Sequence, residues 1–233
     1  MLKSLLQRAR EARAAELGDG EGLEEGFTLI ELMVVLLIIA ILLAIAIPTF
    51  LGVTGSANDR SIQSNTTNAM TEAKALYQNG SSYAPLNTSN NPVPLTAATF
   101  NGSAPEFAWV QATADATGSC ATGGSNCISF EEVDVANAAD GQGIVVAALS
   151  KTGTCWYVMD LETTPAAAAI NPDTGGTISL WSTQAATPEA SAGVFYAKRA
   201  NTNNTTKCNA HYALSPAQTV TWGSSYSNPG SVS

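Results

Sequence analysis

Glu31 is the one charged side chain between Phe27 and Phe50 in the stretch EEGFTLIELMVVLLIIAILLAIAIPTF, Glu24 to Phe50. A carboxylate without a partner costs a few kcal/mol in hydrocarbon, so it calls for a cation or for headgroup water. Other groups able to do chemistry are sparse. His211 is the only histidine and has no serine or aspartate pattern around it. No glycine-rich phosphate loop is present. The run EEVDVANAAD (Glu131–Asp140) gathers carboxylates but lacks the D-x-D-x-D-G spacing of a calcium loop, so it reads as a solvated acidic face. Cys120, Cys127, Cys155 and Cys208 all follow the apolar run. An even count in an extracytoplasmic domain points to two disulfides with three possible connectivities. Zinc is the rival, but its ligands come as close pairs and only one histidine is available. No catalytic constellation emerges and no cofactor is expected; the chain is not read as an enzyme.

The elements that must position these groups follow from hydropathy. Phe27 to Ile47 holds about 21 residues, which as a helix gives about 30 Å, the thickness of a hydrocarbon core. It is longer than the h-region of a secretory signal and has no A-x-A-like cleavage site after it. Lys3, Arg8, Arg10 and Arg13 precede it, which keeps that end cytoplasmic. Pro48, Gly52 and Gly55 are expected to loosen the helix. From Asn58 to Asn79, Ile62, Ala69, Met70, Ala73, Leu76 and Tyr77 recur in steps of three and four, which predicts one face of an amphipathic helix, with Gly80 as its stop.

Beyond Gly80, Asn, Ser, Pro and Gly dominate up to Phe107, the mark of a long connection with little regular structure. Gly143–Ser150, Thr154–Leu161, Thr177–Thr183 and Gly193–Arg199 read as strands, with HYAL and QTVTW as shorter candidates. KTG between the first two is a hairpin loop with glycine at a positive φ. The expected fold class is α+β: a long N-terminal helix packed on a C-terminal antiparallel sheet. The chain has 233 residues, of which 12% are charged, and a formal net charge of -9. Lys198, Arg199 and Lys207 are its only basic cluster in that part, so acidity disfavours nucleic acid as a partner.

Gly26, Phe27, Glu31 at the fifth position after the glycine, and an apolar run to Pro48 together resemble the class III signal of type IV pilins and pseudopilins. The resemblance is strong over about 25 residues and extends weakly to the helix-plus-sheet layout. It implies residues 1–26 as a cleaved leader, 27–50 as the transmembrane and filament-core helix, 51–80 as its amphipathic continuation and 81–233 as the extracytoplasmic domain. A prepilin peptidase/N-methyltransferase would cut between Gly26 and Phe27, where glycine presents backbone without a side chain, and would methylate the new amino group of Phe27. Glu31 would compensate that charge on a neighbouring subunit, and Pro48 would be the point where helices bend during packing. The implied partners are further subunits in a homopolymer, an inner-membrane assembly platform, and the bacterial membrane before assembly; the implied end point is an extracellular pilus. The alternative is a pseudopilin or minor pilin of a secretion or DNA-uptake machine. The resemblance also favours Cys120 with Cys127 and Cys155 with Cys208, the second pair resembling the disulfide-bounded C-terminal loop of type IV pilins. Glu24 and Glu25 stand where the family often has a basic residue.

Overall fold

The computed structural model describes residues 26–84, 95–112, 119–120, 126–133, 141–163, 169–170, 177–178, 192–200, 208–215, 218 and 220–232. The chain divides into two compact units between Leu51 and Gly52. In the first, every described residue is exposed and helical from Leu29 onward. Helix α1 spans Leu29–Gly80 and stays helical through Pro48, so the expected loosening is not seen in the isolated subunit. Proline removes the amide that would bond the carbonyl one turn back. The carbonyl left without that donor is Ala44's; one residue on, the Thr49 hydroxyl donates to the next carbonyls, Ile45 (3.2 Å) and Ala46 (2.9 Å), the usual back-bonding of a threonine within a helix.

The second unit is built on a six-stranded sheet. Its strands are β1 (Ala108–Gln111), β2 (Cys127–Val133), β3 (Gly143–Leu149), β4 (Cys155–Leu161), β7 (Gly193–Arg199) and β8 (Gly230–Ser231), in the order β1-β2-β3-β4-β7-β8. The four central strands are antiparallel as expected, whereas β1 on β2 and β8 on β7 are parallel. Strands β5 (Ala169–Ile170) and β6 (Thr177–Ile178) form a separate antiparallel pair. The expected strand Thr177–Thr183 is thus seen only at its first two residues; the rest lies outside the described residues. β3 and β4 meet in a tight hairpin whose Gly153 has φ 84°, the left-handed turn expected of KTG.

Both faces of the sheet are covered, which explains why β3 reads as an unbroken apolar run and β4, apart from Asp160, does too. Ile128, Phe130, Ile144, Val146, Ala148, Trp156 and Val158 share one face with Ile62, Ala69, Met70 and Ala73 of α1. The predicted amphipathic stripe is therefore the one that packs, with Leu76 and Tyr77 partly buried at its end. Val145, Leu149, Tyr157, Met159 and Leu161 face the opposite layer, formed by Cys208, Tyr212, Leu214, Val220 and Val232. This is an α+β, pilin-like arrangement.

Three local features here depart from the sequence reading. The segment after Gly80 contains a short helix α2 (Ala97–Ser103), which includes the poor helix formers Asn101 and Gly102. Packing supports it: Phe100 is fully buried and stacks on Trp109 of β1 with ring centroids 4.0 Å apart. HYAL is not a strand: His211–Ala213 form a 3-10 turn, with the Tyr212 amide donating to Asn209 Oδ1 at 2.7 Å. QTVTW contributes only an isolated bridge, Val220 to Val232; Thr219 lies outside the described residues. Gly80 is, as expected, where the helix stops. Ser81 takes the left-handed conformation (φ 55°), its amide bonding the Tyr77 carbonyl at 2.6 Å.

Candidate assembly site

Gly26, Phe27 and Thr28 precede the first turn of α1, and Glu31 lies within it. The two polar residues are reciprocally bonded. The Glu31 amide donates to Thr28 Oγ1 at 3.3 Å, while the Thr28 amide and hydroxyl donate to Glu31 Oε2 at 3.4 and 3.3 Å. This is a capping box, in which Thr-x-x-Glu satisfies two of the amides that a helix start leaves without partners. The carboxylate also sits at the positive end of the helix dipole. These bonds are at the long end of the hydrogen-bond range, so they hold Glu31 loosely. A full cation nearby would compete for it with advantage.

The sequence reading offers Glu31 a cation or headgroup water and misses Thr28, although Thr-x-x-Glu ahead of an apolar run is a legible capping signal. Gly26 makes no demand on the fold, since a Cβ built there meets nothing within 4 Å. Phe27 is 84% exposed, and the large apolar side chains of α1 are exposed on every side down to Val53. The first part of α1 is long and apolar enough to cross a membrane by length and composition.

The four cysteines form two bridges, Cys120 to Cys127 and Cys155 to Cys208, each with Cα atoms 5.6 Å apart. They are neighbours: the Cys120 amide donates to the Cys208 carbonyl at 3.2 Å. Together they join the start of β2, the start of β4 and the segment that covers the sheet's second face.

The acidic stretch expected to be solvated is corrected by burial. Glu131 and Glu132 lie in β2 and are 1% and 6% exposed, because β2 is covered on both faces; residues 134–140 lie outside the described residues. Glu131 Oε1 is 2.9 Å from His211 Nδ1, so the single histidine anchors the covering segment to the sheet. On the helix side of the sheet, Glu132 Oε2 accepts from the Leu95 amide at 3.3 Å. Lys198 and Arg199 do not form a basic patch. They lie on opposite faces of β7, over the rings of Trp156 and Tyr212 respectively, and Lys207 lies outside the described residues. A groove lined by Leu76, Ser82, Tyr83, Leu95 and Thr99 holds no histidine, cysteine or carboxylate among the described residues. Among the described residues no group of three or more His, Cys, Asp or Glu is placed to hold a metal ion.

Residues 23–47 match the family model described as the prokaryotic N-terminal methylation motif. That span brackets Gly26, Phe27, Glu31 and most of the exposed apolar helix. The match is consistent with a class III signal peptide and supports a type IV pilin-like or pseudopilin protein that is anchored in a bacterial membrane. No curated protein and no solved structure matches the chain.

Proposed function

We propose that the chain is the precursor of a filament subunit: it is cut between Gly26 and Phe27, methylated on the Phe27 amino group, and polymerised into a cell-surface pilus. The observation that supports this most is the coincidence of the methylation motif with the start of a helix exposed and apolar all round. Such a surface is compatible with lipid while the subunit is stored. In a filament the same side chains would be buried against other copies, at roughly 1.5–3 kcal/mol for each large one. A soluble fate would leave that area in water, far beyond the apolar patch a monomer tolerates.

Glu31 supplies register. In the membrane it is held by Thr28; in the filament it pairs with the charged amino group of Phe27 on a neighbouring subunit, a group that exists only after cleavage. Residues 1–26 are then the cytoplasmic leader and 27–50 the filament core. Residues 51–80 join that core to the extracytoplasmic domain, 81–233. The subunit is structural rather than catalytic, and its partners are the prepilin peptidase, an inner-membrane platform and other subunits.

Mass spectrometry of the mature protein tests the reading. The expected N-terminus is a monomethylated Phe27, and the protein is expected as a main component of filaments sheared from the cell surface. An intact Met1 or a cut elsewhere overturns the reading. A methylated Phe27 with no surface filaments assigns the chain instead to a pseudopilin or minor pilin role.

A further inference from the structure

Lys74 of α1 and Asp160 of β4 meet where the helix packs on the sheet, with Nζ 2.9 Å from Oδ1. The carboxylate is 1% exposed and has the apolar residues Ile144 and Val194 as its cross-strand neighbours. Two further groups complete the surroundings. From the turn that ends α1, the buried Tyr83 hydroxyl donates to the other carboxylate oxygen, Asp160 Oδ2. On the far side of the lysine, Glu162 Oε1 lies 3.8 Å from Nζ. The four side chains therefore supply an amine, a carboxyl carbon within its reach, a donor on the oxygen that faces away from the amine, and a second carboxylate beside the nitrogen. These are the parts an acyl transfer needs: nucleophile, electrophile, a donor where charge develops, and a base.

We propose that Lys74 Nζ and Asp160 Cγ join in an amide bond, formed within the folded subunit with Glu162 as the base and Tyr83 as the donor to the oxyanion. The step balances without a co-reactant. The Lys74 ammonium passes one proton to Glu162, and the free amine attacks Cγ. Tyr83 steadies the negative charge that gathers on Oδ2 in the tetrahedral intermediate. The nitrogen then gives up a second proton, Oδ1 departs with both protons as water, and Glu162 ends as the carboxylate it began as. Nothing is oxidised or reduced; one ion pair becomes one amide and one water. Groups held in contact in this way react with effective molarities of roughly 10⁵–10⁸ M. Burial, then the hydrogen bond to Asp160, raises the Tyr83 hydroxyl above its ordinary value and keeps it a donor. Lys74 retains 37% side-chain exposure, an exit for the released water, while the carbonyl that remains is shielded from hydrolysis. The amide would tie the last turns of α1 to a central strand, so that a pull along the helix is borne by covalent bonds as well as by packing.

The test is the intact mass of the full chain, purified in detergent and then reduced and unfolded, followed by tryptic peptide mapping. The expected mass is one water below that of the sequence, with no cleavage after Lys74 and a branched peptide in which fragmentation places the bond between Lys74 and Asp160. Lys74→Arg keeps the positive charge but removes the nucleophile, so its mass should show no loss of water. Glu162→Gln removes the base and should slow the appearance of the amide in freshly synthesised protein by about 100-fold or more. Near-UV circular dichroism of each protein before unfolding establishes that it is folded. A folded wild type of full mass that trypsin cuts after Lys74 overturns the proposal, as does a water loss that persists in K74R. Equal rates in the wild type and E162Q overturn the assignment of Glu162 as the base.

Discussion

Glu31 has two partners to choose between, and the choice is what its position achieves. Thr28 offers an amide and a hydroxyl at 3.3–3.4 Å, within the same chain and available from synthesis onward. The proposed alternative, a methylated amino group on a second subunit, is a charge and becomes available only after processing. Two substitutions separate these roles. Glu31→Ala should leave membrane insertion and cleavage intact and abolish sheared filaments. Thr28→Val should cost the first turn of the helix about 1 kcal/mol, the usual cost of losing a cap, and lower filament yield only in part. Processed N-termini and filament yield, measured on both variants, check this; normal yield from E31A defeats the pairing idea. Gly26, Phe27 and Glu31 are legible in the sequence because their offsets are rigid and their context is apolar. The hydroxyl of Thr28 is harder to see there, because a charge in a membrane span masks an ordinary helix start.

The elements legible in advance are those whose pattern is independent of neighbours. The α1 stripe is visible at helical spacing, β3 is visible as a continuous apolar run, and β4 and β7 are visible as mostly apolar, aromatic-rich runs. β1, β2 and α2 are not, and the reason is physical. β2 includes two glutamates that His211 and the Leu95 amide meet only after folding. β1 is four residues long, and α2 is held through Phe100 by ring contacts with Trp109 and Phe130. Short-range preference says little about any of the three. The same holds for the sheet edge, where β8 pairs with β7 and Gly223 bridges Tyr196. A Cβ at Gly230 would collide with the Thr221 carbonyl oxygen, a backbone atom that cannot rotate away. Gly230→Ala should therefore lower stability by about 1–3 kcal/mol, the range for overpacking, and a shifted denaturant midpoint with unchanged slope would measure it. An unaltered midpoint would mean that this edge adds nothing to the fold.

Across the whole second unit, stability rests on two faces closed by different means. The helix face is closed by apolar packing and by Tyr226, whose hydroxyl meets Thr66 Oγ1 at 2.5 Å. The other face is closed by segments that return late in the chain and are tied down by the bridges. Cys155–Cys208 spans 53 residues and Cys120–Cys127 only 7. In the chain-entropy model these correspond to about 4 and about 2 kcal/mol. Replacing each pair with alanine should lower the melting temperature in that order, as calorimetry can show; equal losses would mean that native packing, not loop closure, sets the contribution. The pairing could be anticipated only through family likeness, because four cysteines admit three patterns and nothing in their spacing selects one. One further consequence lies in the sheet's strand order. β7 borders β4 on one side and depends for its other border on Gly223 and on β8, which follows every other strand in the chain. A polypeptide made in order thus displays β7 with an open ladder of donors and acceptors until residues 220–232 arrive. During that interval the growing subunit is a template for pairing with any extended chain nearby, and the final strand acts as an internal chaperone that ends the hazard.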